Sequence, residues 1–326
     1  MAIYSVKSYQ STHKELWNDF VNKAKNATFL FQRDFMDYHK DRFQDASVLV
    51  FKKDELIAVF PANAQKDQII SHQGLSYGGL VLKSKVYFSD VLLAFQAILE
   101  FYHSEGIQSM TIKTLPRIYN RMPSDEIDYL LFKLEASLVR RDVTSVIGND
   151  TSSLGRSSNR ERGLKKALKN NLELRESQGF EEFWNSILIP NLKQKHKTSP
   201  THSLDEITLL KEKFPNHIRQ FNAYKNDRLV AGVTIFETEQ VAHAQYISAG
   251  EDKQELGSLD FVFDKLINDI FRDKPYFDFG ISNENNGQHI NEGLLKWKED
   301  FGARTVVHDH YQFSTENYKN LKSVFI

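Results

Sequence analysis

The run Tyr276 to Ser282 reads Tyr-Phe-Asp-Phe-Gly-Ile-Ser, an apolar strand with polar groups at alternate positions. Side chains of a strand point to opposite faces in turn, so Phe277, Phe279 and Ile281 share one face and Asp278, Gly280 and Ser282 the other. The first face is core, and the second is a polar line on a buried strand. Chemistry at an amine needs a base for the amine proton, a donor for any oxyanion and an acid for the leaving group, but no nucleophilic side chain. Asp278 beside the missing side chain of Gly280 suits the base, Glu284 past the strand end is its rival, and Ser282 completes the set. The competing reading is that Asp278 and Ser282 satisfy backbone groups or cap a helix. On the preceding strand His243 and Gln245 share a face opposite Tyr246; His243 reads first as a satisfied structural histidine and second as a substrate contact.

Other chemistry is narrowed by what is present. The chain has no cysteine, which removes disulfides, thiolate metal sites and an enzyme-bound thioester. His308-Asp309-His310 puts two imidazoles on one side of a strand, yet no third ligand has metal-site spacing, and neither HExxH nor GxSxG occurs, so no metal is expected. Arg156, Arg160, Arg162, Lys165, Lys166 and Lys169 form a basic run entering a helix, with a second cluster at Lys193, Lys195 and Lys197. Such runs are usually solvated faces; the alternative is contact with phosphates of CoA, a nucleotide sugar or tRNA. Lys plus Arg (42) nearly balance Asp plus Glu (43), so no global field favours DNA or an anionic membrane. The start Met1-Ala2-Ile3-Tyr4 lacks the basic, apolar pattern of a secretion signal and no apolar run is long enough to span a bilayer, so a cytoplasmic location is expected.

These residues must be positioned by a fold of some size. A chain of 326 residues exceeds what one core usually holds, so two units are expected. Helical spacing predicts helices over Lys14 to Ala24, Asp34 to His39 and Val91 to Tyr102; strands are predicted at Ser47 to Phe51, Leu56 to Pro61 and Met110 to Lys113. The second half repeats this order. Lys52 to Phe60 lies over Lys225 to Val233, charged turn and apolar return strand in register. Each hairpin is followed by a His-bearing strand, a glycine loop, an apolar helix and a strand, which in the second copy are Val241 to Ala249, Gly250 to Gly257, Leu259 to Phe271 and Tyr276 to Ser282. The polar stretch Gly148 to Arg160 separates the copies, giving domains 1–147 and 148–326. Leu294, Trp297 and Phe301 share one helical face and read as core.

The second copy has the element order of Gcn5-related N-acetyltransferases (GNATs). Gln254-Glu255-Leu256-Gly257-Ser258-Leu259 resembles their pyrophosphate loop, with Leu259 where the family has a small residue. Ser71 to Leu80, Lys113 to Tyr119, Phe277 to Glu284 and Leu295 to Arg304 resemble FemAB-like and BioF2-like acyltransferases of the double GNAT fold, and these segments fall in both halves of the chain. The resemblance implies a tandem α/β fold with mixed sheets. It also implies an enzyme that moves an acyl or aminoacyl unit onto an amine, with no tightly bound cofactor. Gln254, Gly257 and Ser258 would hold an acyl-CoA co-substrate, while His72, Tyr77, Lys113 and Tyr119 would line an acceptor pocket between the halves. The glycines of Ser71 to Gly79 equally suit tight turns. The expected acceptor is an amino sugar or another cell-envelope precursor. Aminoacyl-tRNA is the alternative donor, and a binding-only relative with a degenerate site is the competing class.

Overall fold

The computed structural model describes residues 3–148 and 154–326. The chain divides into two compact units, Met1–Asp142 with Val307–Ile326, and Val143–Val306. The contiguous division expected at 147/148 differs from this in one respect that matters: the last twenty residues return to the first unit. Of the polar stretch Gly148 to Arg160, residues 149–153 lie outside those described, and Arg160 is already helical.

In the first unit β1 (Tyr4–Ser8) is followed by α1 (Lys14–Lys23) and the short α2 (Arg33–Met36), which ends in a tighter turn over Asp37–His39. The predicted hairpin forms from β2 (Val48–Lys52) and β3 (Glu55–Phe60). At Pro61 the strand breaks, since proline cannot donate to a ladder. Ser47 Oγ accepts from the Ala62 amide (3.1 Å) across the break. β4 (Asn63–Gln65) and β5 (Gln68–Ile70) then lead towards α3 (Phe88–Ser104), β6 (Ser109–Lys113) and α4 (Glu126–Lys133). Val91, Leu92, Phe95, Ile98, Leu99 and Tyr102 recur on one face of α3 and pack with Val48, Val50, Ala58 and Phe60 in the core.

β7 (Ser137–Gly148) leads into the second unit, where α5 (Ser158–Lys169) and β8 (Glu173–Ser177) precede a helical stretch with two wide, π-type turns, Trp184–Leu188 and Leu192–His196. Pro190 lies between those turns and removes a helix donor, which the wide turns accommodate. α6 (Leu204–Lys213) starts on a Ser203/Glu206 capping box. β9 (Ile218–Lys225) and β10 (Arg228–Glu237) turn through Asn226 and Asp227, both at positive φ, as a two-residue hairpin requires. β11 (Val241–Ala249), α7 (Ser258–Lys265), β12 (Tyr276–Ile281) and α8 (Glu292–Glu299) complete the predicted order. The sheet of this unit runs β8-β9-β10-β11-β12-β7.

β13 (Arg304–Ser314) closes the first unit, pairing with β6 from His310↔Lys113 to Ser314↔Ser109. Each unit therefore ends its sheet on a strand from a distant part of the sequence: β13 beside β6, and β7 beside β12. Among the described residues no helix is long and apolar enough to cross a membrane.

Candidate active site

β11 and β12 run parallel and pair over only three positions, Val241↔Tyr276, Ala242↔Phe277 and His243↔Asp278. Both strands then bulge. Against β10, Thr234 pairs with Tyr246 and Ile235 with Ala244, so Gln245 is the extra residue. Against β7, Asp278 pairs with Val146 and Ile281 with Thr144, so β12 carries one extra residue between them. Gly280 sits there at φ +77°, a conformation that costs other residues a Cβ clash. Two adjacent bulges turn the strands apart and open a gap beyond His243. A bulge also shifts side-chain facing: Phe277 and Phe279 are core as expected, whereas Ile281 is 40% exposed, not core.

Asp278, at the vertex of this gap, is fully buried. Its carboxylate accepts from the Gly280 amide (2.8 Å), from Thr144 Oγ1, and from His243 Nδ1 (2.9 Å). A carboxylate only accepts, so His243 Nδ1 is the donor of this bond. Asp278 is enclosed by these partners, whereas the side chain of His243 is partly exposed. Ser282 is buried and accepts from Lys298 Nζ (3.0 Å). Glu284 lies exposed on a two-residue strand and accepts from Asn291 Nδ2 (2.9 Å), the residue that caps α8.

Lys298 is the residue that sequence reasoning missed. It is 2% exposed, and its ammonium donates to Gly280 O (2.7 Å), Ile281 O (2.8 Å) and Ser282 Oγ. The carbonyls released by the bulge are satisfied by this one side chain. Burial lowers its pKa to about 8, against the pull of Asp278. The signal was legible: Lys298 falls on the stripe of Leu294 and Phe301, a lysine on a core-facing helix face.

The same unit holds a cavity of about 360 Å³ lined by Ile247, Ser248 and Ala249 of β11, by Leu188, Asn191, Leu192 and Lys195, and by Gln254, Leu259 and Asp260; His243 and Asp278 are not in its lining. Trp297 packs on Phe263, Phe279 and Phe301 of the core, as expected, and also reaches the cavity, whereas Leu294, expected in the core, is 38% exposed and lines the cavity. Its β11 wall begins four residues, about 13 Å of strand, past His243. Of the loop residues expected to hold CoA, Gln254 lines the cavity and the other two do not. Gly257, at φ +66°, is packed so closely on α5 that an added Cβ would lie 2.0 Å from Gly163 O. Ser258 is buried. The first turn of α7 already carries a carboxylate, Asp260, paired to Arg160 (2.7 Å). A diphosphate therefore does not fit the start of α7, where an acid stands and α5 closes over the glycine.

By structure, the chain resembles FemX with a TM-score of 0.65 at 10% identity, over 95% of this chain and 97% of that one. L-PGS from Bacillus licheniformis gives 0.61 at 9% identity, over 93% and 91%. A tandem GNAT protein from the clavulanic acid biosynthesis pathway, solved without AcCoA, gives 0.50 at 9% identity, over 96% and 98%. The chain has a tandem GNAT fold. No family model matches its sequence, and no curated protein does.

Among the described residues the first GNAT unit shows no corresponding opening. β5 and β6 are parallel over Gln68–Ile70 and Ser109–Thr111, after which the chain loops out and returns, with the Gly78 amide on Lys113 O (2.7 Å) and Ser71 Oγ accepting from the Lys113 amide (2.9 Å). Gly78 is required there, since an added Cβ would lie 2.0 Å from Ser71 O. The expected acceptor residues sit in and around this loop. His72 is buried at φ +66° against the rings of His39 and Phe43, and burial, aided by His39, lowers its pKa to about 3. Tyr77 OH donates to Thr28 Oγ1 (3.0 Å) and its ring packs on Tyr119. Lys113 Nζ donates to the carbonyls of Leu75 and Gln73, and burial, then Arg140, lowers its pKa to about 7. The turn reading of Ser71 to Gly79 accounts for these contacts. Of the His308-Asp309-His310 run, Asp309 is held by Arg141 through both oxygens (2.6 and 2.7 Å).

Proposed function

We propose that the second GNAT unit transfers an acyl group directly from a donor to an amine, with His243 as the base. The observation that carries this reading is the His243–Asp278 pair at the vertex of an open strand gap, 2.9 Å between Nδ1 and Oδ2. The amine nitrogen adds to the acyl carbonyl carbon and gives its proton to His243 Nε2. The bond from that carbon to the donor sulfur breaks, and the departing thiolate takes the proton back. Asp278 holds the ring tautomer and steadies the imidazolium, and Lys298 keeps the bulge that places Asp278. The donor is an acyl thioester of CoA type and the acceptor an amino sugar or related envelope precursor, met in the cytoplasm. A second reading, an aminoacyl ester of tRNA as donor, is favoured by one feature: the start of α7 is closed to a diphosphate.

The test is product formation from acyl-CoA or aminoacyl-tRNA with a panel of amines, using the parent, His243→Gln and Asp278→Asn. His243→Gln is expected to lower kcat by about 10²- to 10⁴-fold. Asp278→Asn should lower kcat similarly by presenting the wrong tautomer. Parental turnover in His243→Gln would remove the base. Activity with the tRNA ester alone would select the second reading, and ligand binding with no turnover on any amine would leave a binding protein.

A further inference from the structure

The two basic segments meet at the cavity of the second GNAT unit. Arg160 of α5, Lys195 of the second wide turn, and Lys253 of the short helix Lys253–Leu256 all line it. Lys166, one turn and a half further along α5, donates to the Gln254 carbonyl (3.0 Å) beside Lys253. Against these cations the lining holds a single carboxylate, Asp260, already paired to Arg160. The rest of the lining is largely apolar, with Leu192, Ile247, Leu294 and Trp297. A cleft with cations on one rim and low-dielectric walls strengthens attraction for an anion and takes an apolar arm behind it.

We infer that the donor's phosphate is held by the side chains of Lys195 and Lys253 at the cavity rim, not by the amides at the start of α7. The inference rests on the acyl-transfer reading only for the word donor; the site itself is a phosphate site for a ligand with an elongated apolar arm. Lys195 is exposed and Lys253 half-buried, so both ammonium groups reach a ligand without losing a buried partner. Arg160 stands behind them with its charge balanced by Asp260.

Calorimetric titration of the full chain tests this with four probes: CoA, adenosine 3′,5′-bisphosphate, pantetheine without phosphate, and an RNA acceptor-stem minihelix. Lys195→Gln and Lys253→Gln are each expected to weaken a phosphate-bearing ligand about tenfold, the loss of one charged hydrogen bond. Pantetheine binding should not change, nor should Lys213→Gln alter any titration. If the double variant binds CoA and the minihelix as the parent does, or if no phosphate ligand binds the parent, the inference is wrong. If the minihelix binds and follows the lysines while CoA does not bind, the site stands and the thioester donor falls. If phosphate binding follows the lysines while His243→Gln keeps parental turnover, the site stands and the catalytic assignment falls.

Discussion

A buried ammonium is tolerated when each of its donors is used, and is costly otherwise. Lys298 uses three, on Gly280 O, Ile281 O and Ser282 Oγ, and all three acceptors belong to the chain segment that turns β12 aside. Lys298→Met leaves those oxygens without a donor and is expected to cost about 2–4 kcal/mol, read as a lower Tm. The deficit should depend on pH. In the folded chain Lys298 loses its proton near 8, whereas an unfolded lysine keeps it to about 10.5. Between those values the unfolded state binds the extra proton, so the parent gains stability as pH rises and the gap to Lys298→Met widens. A gap that stays constant from pH 7 to 11 would show that Lys298 does not titrate as its surroundings demand. The residue-level lesson of Asp278 is similar: strand alternation put it on the polar face, but only its partners distinguish a base from a support.

At the scale of elements, the opening depends on two bulges and on how α5 seats against α7. Gly257→Ala places a Cβ 2.0 Å from the backbone oxygen of Gly163 and in the left-handed region. Backbone cannot yield as a side-chain tip does, so a loss of about 2–4 kcal/mol is expected. Gly280→Ala meets the His243 ring at 3.4 Å and Ala244 O at 3.7 Å, and its main cost is the conformational strain of about 1–2 kcal/mol. Denaturant melts of the two variants should rank in that order, with turnover more affected per kcal/mol in Gly280→Ala because it displaces His243. Equal losses would mean that the helix contact is looser than drawn. The periodicity of β12 read Phe277 and Phe279 correctly and Ile281 incorrectly, since one inserted residue reverses every facing after it.

Across the whole molecule the two GNAT units share a topology but not a fate: in the second the parallel strands part, and in the first a returning loop fills the corresponding space. The first unit also holds two histidines with lowered pKa, His72 at about 3 and His310 at about 4, each caused first by burial. Lys113, Arg140 and His308 press His310 down further, against Asp142. An unfolded histidine takes its proton near 6.5. As pH falls from there to about 4 the unfolded chain gains a proton that folded His310 refuses, so stability is lost in that window. His310→Gln should flatten the fall of Tm between pH 6.5 and 4 relative to the parent and leave the slope above pH 7 unchanged. Identical slopes in both proteins would contradict a neutral His310.

Local signals carry the element order because they are local. Apolar spacing placed α3 and α7, the Asn226-Asp227 turn placed its hairpin, and the repeated order of hairpin, strand, loop, helix and strand implied two like units. The polar line at Asp278, Gly280 and Ser282 fell on the strand that carries the bulge. What needed three dimensions was every property set by a partner far along the chain: the return of β13 to the first unit, the closure of Gly257 by Gly163, the pairing of His243 with Asp278, and the burial of Lys298. Spacing in a sequence reports which way a side chain faces, while the role of a carboxylate or lysine is decided by the desolvation and hydrogen bonds it meets, and those exist only once distant segments are packed together.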